Sequence, residues 1–246
     1  MVNHCLFDIV RSWEQHLACI LPSKINRRFH LSGRQCDWHQ TAFSYVIPFG
    51  REFASLDTGG MVSPRLTTPG FDSVPSSAVL NSTAGVCWLF REHSGTFGVT
   101  FDAPNVMPSH VVIHHWPSNS TASLSRAPHH IIVWGLVDGE ANKRTFSASQ
   151  RVLTSTFTKV PSQISKEGTF IPLAEIDFDI SARSLRQAFP ISNNALSLGI
   201  DFGIVVFDIR SNWGADATSL CAVRIYGHAV PVGREDIGET ECLYCS

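Results

Sequence analysis

The stretch Ile204-Val-Val-Phe-Asp-Ile209 decides the fold class, because a short run this rich in β-branched and aromatic side chains is typical of a β-strand. Similar short runs recur from Phe53 onward, separated by Gly, Pro, Asn and Ser residues that form turns. These runs are Phe97–Phe101, Val111–Ile113, Ile131–Trp134 and Cys221–Tyr226. Short strands at this spacing, with little helix between them, predict an all-β protein with an antiparallel β-sandwich.

The composition is that of a globular domain. The chain has 246 residues, of which 43% are hydrophobic and 16% are charged, enough apolar surface for a core. Lys and Arg total 19 against 21 Asp and Glu, and no segment concentrates the positive charge. Binding of nucleic acid through a basic face is therefore not expected.

The two ends differ from the middle of the chain. Residues 1–48 carry apolar side chains at helix-like spacing and then a polar, patternless stretch, which predicts a partly helical or irregular N-terminal extension. Residues 49–230 form the predicted domain, and residues 231–246 a flexible tail. The sequence shows no unbroken apolar segment typical of a secretory signal or a membrane span, and no sustained heptads. The Cys242-Leu-Tyr-Cys245 motif in the tail is weak evidence for zinc or redox chemistry.

Several separated blocks between residues 50 and 230 resemble, in order, the pattern of SUN domains. The blocks are Phe53-Ala54, Gly59-Gly60, Pro64-Arg65-Leu66-Thr67, Gly85-Val-Cys87-Trp88-Leu-Phe90, Val112-Ile-His-His115-Trp116-Pro117, Ala127-Pro128, Val133-Trp134-Gly135, Gln187-Ala-Phe189-Pro190, Ser211-Asn212-Trp213-Gly214 and Arg224-Ile-Tyr-Gly227. No single block is specific, but their shared order over most of the chain is.

The resemblance implies a jelly-roll sandwich, related to galactose-binding domains, with no catalytic activity. SUN-domain proteins lie in the lumen between the two nuclear membranes and grip the C-terminal tails of KASH proteins, joining nucleus and cytoskeleton in LINC complexes. The expected function is therefore that of a protein–membrane adaptor of the nuclear envelope, perinuclear space or endoplasmic reticulum lumen. A homotrimer and membrane association are expected of the full-length protein, through a coiled coil and a transmembrane helix that this chain does not show.

The same resemblance names the residues of a peptide-binding site. His115 corresponds to the family's His that helps to hold the carboxylate of the tail, and Arg126 stands where the family has Ser. Asn212 and Trp213 complete the expected site. Cys87 and Cys221 are expected to form a structural disulfide, the alternative being two buried free thiols.

Some positions depart from the family pattern. The assisting Tyr aligns with Ala217, and Thr67 replaces the Cys that crosslinks the tail. The hairpin lid between Thr67 and Asn81, which pairs with the peptide as an added strand, is cut to a stretch rich in Pro, Gly and Ser. In the cation loop, Asn81 replaces a usual acidic residue, which argues against a bound monovalent cation. No other cofactor is expected.

Two Asn-x-Ser/Thr triplets, at Asn81 and Asn119, are candidate glycosylation sites in predicted loops. Five histidines invite a metal hypothesis, but neighbouring side chains of a strand face opposite ways and no zinc motif is present. They are His110, His114, His115, His129 and His130. No metal site is predicted.

Three other functions remain open. The short lid favours a lidless SUN-like protein of the endoplasmic reticulum that acts in protein folding or in handling membrane proteins. A carbohydrate-binding jelly-roll module is a second alternative, although no acidic or aromatic cluster is visible at a loop end. An enzyme is least favoured, since Glu175, Asp177 and Asp179 alternate as the solvated face of an edge strand would.

Overall fold

The structure, a computed structural model, describes residues 50–116, 121–153 and 160–230. These residues lie within one compact unit of the chain, Ile47–Ser246. The predicted N-terminal extension and C-terminal tail lie outside the described residues.

The described residues form eleven strands and five α-helices. The strands are β1 (Arg51–Glu52), β2 (Met61–Val62), β3 (Trp88–Arg91), β4 (Gly95–Thr100), β5 (Val106–His114), β6 (His130–Val137), β7 (Thr169–Asp177), β8 (Arg186–Pro190), β9 (Ile204–Ile209), β10 (Ala217–Leu220) and β11 (Ala222–Ala229). The helices are α1 (Ala78–Asn81), α2 (Thr121–Ser125), α3 (Glu140–Leu153), α4 (Ser162–Ser165) and α5 (Asn193–Leu196), with 3-10 turns at Leu56–Thr58 and Pro64–Leu66.

The strands build two sheets and a two-stranded ribbon. One sheet has the order β2-β4-β9-β6-β7, the other β1-β11-β5-β8, and the ribbon is β10-β3. All of these pairings are antiparallel. Phe97 and Phe207 of the first sheet share one buried core with Val111 and Ile225 of the second. The predicted antiparallel jelly-roll sandwich is therefore confirmed.

Strand β9 shows why its sequence is apolar at almost every position. Val205, Phe207 and Ile209 face the core between the sheets. Val206 points the other way, into a second apolar cluster with Trp134 and Ile164 that covers the outer face. A strand buried on both faces loses the alternation of polar and apolar residues.

Asp208 is the polar exception in β9. The residue is 5% exposed, and its side chain accepts a hydrogen bond from Trp134 Nε1 at 3.3 Å and forms an ion pair with Arg210. Burial raises the pKa of Asp208, while the Arg210 charge and the hydrogen bond from Trp134 pull it back down. Partners on the outer face of the sheet thus offset part of the free-energy cost of burying this carboxylate.

Helix α3 was not expected, because the sequence was interpreted as having little helix between strands. It begins just after Asp138-Gly139, and most of its described side chains are exposed, with Phe146 packed against the core. Its apolar residues are few among many polar ones, so hydrophobic periodicity is a weak signal in this segment. Glu140 in its first turn was the available signal.

Two other expectations are confirmed. Residues 67–77 contain no strand, so the shortened lid is not a hairpin. Strand β7 lies at the edge of its sheet, with Glu175 and Asp177 exposed. Asp179, the third carboxylate of the predicted strand face, is exposed but lies beyond the end of β7. Across the pair, His130 contacts both carboxylates, at 3.4 Å from Nε2 to Glu175 and 3.0 Å from Nδ1 to Asp177.

Candidate functional site

A disulfide between Cys87 and Cys221 fastens one end of the β3–β10 ribbon, where Trp88 pairs with Leu220. Cys221 is 1% exposed and begins the turn into β11. The structure therefore has the expected bridge, and the alternative of two free thiols is not observed. Trp88, next to Cys87, is 1% exposed and packs on Phe90 and Phe97 in the core.

His115 lies next to this disulfide and is 1% exposed. Its backbone N–H donates to Leu185 O at 2.9 Å, and its Nδ1 lies 3.4 Å from Cys221 Sγ. Its Nε2 is buried and has no hydrogen-bond partner among the described residues. Burial lowers the pKa of His115, and a hydrogen bond with the Ser123 backbone offsets part of that change. The imidazole is thus favoured in its neutral form.

His114 is the last residue of β5, and His115 follows the strand. His114 is half-buried and its ring centroid lies 3.7 Å from that of Trp116. In the part of the chain that the structure describes, no three His, Cys, Asp or Glu side chains are grouped so that they could hold a metal ion.

Arg126 lies at the surface just after α2. Its backbone is fixed at both ends, since its N–H donates to Ser123 O at 3.3 Å and its carbonyl accepts from Ser219 N of β10 at 2.8 Å. Its side chain is exposed, and no partner of the guanidinium is found among the described residues. A cation on a fixed backbone segment can bind an anionic group from solvent.

Asn212 is buried, and its amide group builds the loop that follows β9. Nδ2 donates to Ala215 O at 2.9 Å, to Ala217 O at 3.1 Å and to Thr218 Oγ1 at 3.1 Å. Oδ1 accepts from the backbone N–H groups of Gly214 and Ala215. Gly214 has φ 97°, a conformation that favours glycine. The Asn-Trp-Gly motif is therefore explained by loop geometry, with the Asn212 side chain turned inward.

Trp213 is the half-exposed member of the same motif, with 36% of its surface accessible. Its Nε1 donates to Phe178 O at 3.0 Å, and its ring centroid lies 4.3 Å from that of His129. Its backbone N–H donates to Ala127 O at 3.2 Å, which joins the loop to the Arg126 segment. The structure thus brings the four predicted residues to one region, with Arg126 and Trp213 accessible and His115 and Asn212 enclosed.

Beside this region lies a cleft of about 580 Å³ that the sequence did not reveal. It is lined by Arg65, Thr67, Phe71, Arg91 and Glu92, among others. The Arg91 guanidinium lies 5.4 Å from the centroid of the Phe71 ring, and that ring is 44% exposed. The two parts of the lining, residues 65–71 and residues 91–96, are held together by backbone hydrogen bonds from Thr68 N to Thr96 O at 2.8 Å and from Phe71 N to Leu89 O of β3 at 3.2 Å.

Glu92 lines the same cleft with a positive φ of 79°. Two hydrogen bonds hold this backbone: Glu92 N donates to Asp216 O at 3.1 Å, and Thr218 Oγ1 donates to Glu92 O at 2.8 Å. A non-glycine residue in this conformation is unusual and persists where its surroundings fix it.

A second cleft, of about 490 Å³, shares Phe71, Arg91 and Glu92 with the first and extends to Ala217. Ser219, which binds the Arg126 carbonyl, lies two residues further along β10. Two residues of a strand span about 7 Å. Strand β10 therefore connects the second cleft, at Ala217, to the backbone of Arg126, at Ser219.

Comparison with known proteins identifies the family. The sequence profile described as Sad1 / UNC-like C-terminal matches residues 73–229, more than half of the chain. The chain belongs to this family. It is a SUN-domain protein, as the ordered blocks of its sequence indicated. No curated protein matches the chain as a relative.

Several solved structures are similar to this SUN domain at low sequence identity. The family 32 carbohydrate-binding module of Clostridium perfringens NanJ, solved with galactose, is 12% identical, with a TM-score of 0.44, over 72% of this chain and 99% of that one. The corresponding module of Streptococcus pneumoniae EndoD is 10% identical, with a TM-score of 0.45, over 72% and 100%. An F5/8 type C domain of Bacteroides fragilis is 10% identical, with a TM-score of 0.45, over 74% and 99%.

Two departures from the SUN-domain pattern have a structural role here. Thr67, in place of the crosslinking Cys, donates from Oγ1 to Ser63 O at 2.7 Å and accepts from Gly98 N at 3.1 Å. Ala217, in place of the assisting Tyr, begins β10, and its carbonyl accepts from Asn212. Both positions therefore hold neighbouring backbone together.

Asn81 ends α1 and is exposed, and its Nδ2 donates to Thr83 Oγ1 at 3.1 Å. Asn119, the other candidate glycosylation site of the SUN domain, lies outside the described residues. Among the described residues, no helix is long and apolar enough to cross a bilayer.

Proposed function

We propose that this SUN domain is a non-enzymatic adaptor that binds the C-terminal tail of a KASH-type partner in the lumen of the nuclear envelope or endoplasmic reticulum. The observation that carries the proposal is the exposed Arg126 side chain, on a backbone fixed to β10 beside two open clefts. Family membership supports the same class of function. The buried disulfide is in keeping with an oxidising lumen.

Arg126 supplies the charge that recognises the end of the tail. A guanidinium can form two parallel hydrogen bonds with one carboxylate, so it can substitute for the hydroxyl donors of the family pattern. The residues of the tail before the carboxylate would run from Arg126 toward the cleft of Phe71 and Arg91. That cleft offers an exposed aromatic ring and a second cation to an extended peptide.

His115 would take part through its protonation. Its Nε2 is enclosed, so contact with the tail requires the segment after β5 that contains α2 to shift. A carboxylate near the imidazole favours its charged form and opposes the effect of burial on its pKa. Tail binding would then take up a proton and become tighter as the pH falls toward the ordinary pKa of His.

Because the lid is short, contacts with the partner are confined to the C-terminal end of its tail. Residues 67–77 contain no strand that a peptide could extend, so the main-chain hydrogen bonds of an added strand are not provided by this segment. We therefore expect an affinity that depends mainly on the terminal carboxylate.

The test is fluorescence anisotropy with labelled KASH-type peptides, each made with a free carboxylate and as the amide. The full chain is used in its oxidised form, with folding checked by circular dichroism. Arg126→Ala is expected to weaken binding of the free acid about tenfold, roughly 1.4 kcal/mol, and to leave the weaker binding of the amide unchanged. Arg144→Ala is the matched control, because Arg144 is exposed on α3 and bonds only within that helix.

Equal affinity for acid and amide peptides would contradict the proposal, as would an Arg126→Ala variant that binds the acid like the wild type. A second function then gains support: a lidless SUN-like protein of the endoplasmic reticulum that acts in protein folding or handles membrane proteins. The observation that favours it is the absence of a strand in residues 67–77. Site-specific photocrosslinking in microsomes tests it, since such a protein would contact internal segments of newly made membrane proteins.

A further inference from the structure

The triplet Asn81-Ser82-Thr83 has the sequence of an acceptor for N-linked glycosylation. Such triplets often arise by chance, so the sequence alone is weak evidence for glycosylation. The tail-binding proposal does not use this region.

The local structure leaves open space at Asn81. Helix α1 is anchored by Val79 and Leu80, both 0% exposed, and ends at Asn81, where Ser82 turns the chain with φ 54°. Asn81 and the residues 83–85 are exposed. A Cβ placed on Gly85 would meet no atom within 4 Å. A large substituent on the Asn81 amide would therefore extend into solvent without displacing core residues.

The two functional groups of the triplet are paired. Asn81 Nδ2, the nitrogen that would carry the sugar, donates a hydrogen bond to Thr83 Oγ1 at 3.1 Å. The carboxamide and the hydroxyl thus lie on the same exposed side of the turn. The folded chain presents both groups to an enzyme, and it also tolerates a glycan attached before folding is complete.

We propose that Asn81 carries an N-linked glycan. The donor is an oligosaccharide on a lipid pyrophosphate, supplied in the lumen of the endoplasmic reticulum. A bond forms between Asn81 Nδ2 and C1 of the first sugar, the bond from C1 to the pyrophosphate oxygen breaks, and Nδ2 loses one proton. The lipid pyrophosphate leaves, and no oxidation or reduction takes place.

The buried disulfide supports this location independently. The Cys87–Cys221 bridge requires an oxidising compartment, and the endoplasmic reticulum lumen is one. A glycan on Asn81 Nδ2 would also prevent this side chain from serving in a cation loop, because the bulky sugar would occupy the space beside an ion. The turn at residues 81–85 is therefore a modification site, and binding partners use other surfaces.

The test uses microsomes, in which the full chain is translated behind a cleavable signal peptide. Asn119→Gln is introduced so that Asn81 belongs to the one remaining triplet. The protease-protected fraction is then treated with an endoglycosidase and compared by gel mobility. We expect one endoglycosidase-sensitive step, absent in Asn81→Gln and in Thr83→Ala, and retained in Thr83→Ser, which keeps the hydroxyl.

An unmodified Asn119→Gln chain in the protected fraction would overturn the proposal, provided that a known acceptor glycoprotein is modified in the same reaction. So would a mobility step that persists in Asn81→Gln. Neither readout depends on tail binding, so this result and that of the anisotropy experiment are separate.

Discussion

Arg126 and His115 share one region but differ in what they can do. Arg126 is exposed and able to meet a ligand directly, whereas His115 is enclosed between β5, the Ser123 backbone and the disulfide. The family pattern could place both residues at the site, because it records position along the chain. It could not give their burial, which depends on how α2 packs over the end of β5.

The buried His115 makes stability depend on pH. Its folded-state pKa lies below the ordinary value, so it stays neutral in the fold while the unfolded chain takes up a proton near pH 6.5. The stability that the fold gains from a neutral His115 is therefore fully present above about pH 6.5 and is lost as the pH falls through the folded-state pKa. We expect the fall in Tm between about pH 7.5 and about pH 5 to be smaller in His115→Gln than in the wild type.

Thermal unfolding followed by circular dichroism checks this. Burial lowers the pKa values of His110 and His114 as well. The His115→Gln variant should therefore keep part of the dependence of Tm on pH. His93→Gln, at an exposed position, is the control and should match the wild type. An unchanged fall in Tm in His115→Gln would show that this imidazole is not held neutral.

The Cys87–Cys221 disulfide is expected to stabilise the fold. It joins positions 134 residues apart, and closing a loop of that length in the unfolded chain corresponds to about 4–5 kcal/mol by chain entropy. We expect the Cys87→Ala/Cys221→Ala double variant to lose stability of that order in urea unfolding. Wild type treated with a reductant should lose a similar amount. If reduction leaves the urea midpoint unchanged, the bridge does not stabilise the fold.

At the scale of elements, the sequence predicted strands better than the segments between them. Strands β5, β6 and β9 contain the predicted runs, and β4 and β11 contain all but Phe101 and Cys221, because β-branched and aromatic residues suit a pleated sheet buried on one or both faces. Helix α3 escaped prediction because its described face toward the core is largely Phe146. The clefts were not predicted either, since the first depends on the hydrogen bonds of residues 68–71 to β3 and β4 and the second on the pairing of Arg91 with Ala217.

Gly98 controls how the Pro64–Leu66 turn packs on β4. A Cβ at this position would lie 2.6 Å from the Leu66 Cβ and 3.2 Å from the Ser63 Cβ, so the turn would have to move. Gly98→Ala is expected to cost about 1–3 kcal/mol of unfolding free energy through overpacking. It should also disturb Thr67, which accepts a hydrogen bond from Gly98 N.

Urea unfolding of Gly98→Ala against Gly203→Ala measures this effect. A Cβ on Gly203 would have Asp138 Oδ2 as its nearest neighbour at 3.6 Å, so that variant should stay within about 0.5 kcal/mol of the wild type. Equal stability of the two variants would mean that the turn does not pack closely on β4.

For the whole molecule, sequence blocks and structure agree on the family and the fold, while the site is only partly predictable. The order of the blocks follows the order of buried strands and fixed loops, as Trp88 in the core and the inward-facing Asn212 show. Trp88 and Asn212 thus serve the packing and the loop geometry of this fold. The proposed binding depends instead on exposed positions such as Arg126 and Phe71, where this chain departs from the family pattern or where the sequence carries no pattern.

The proposed interaction places a partner's terminal carboxylate at Arg126, with the preceding residues of the tail directed toward the cleft of Phe71 and Arg91. The most direct measurement is a titration of the isotope-labelled, oxidised full chain with a KASH-type peptide, followed by the backbone amide shifts in NMR. We predict shifts concentrated at Arg126, residues 216–219 and Phe71 for the free acid, and much smaller ones for the amidated peptide. Shifts confined to the far edge at β7, or the same response to acid and amide, would contradict the account.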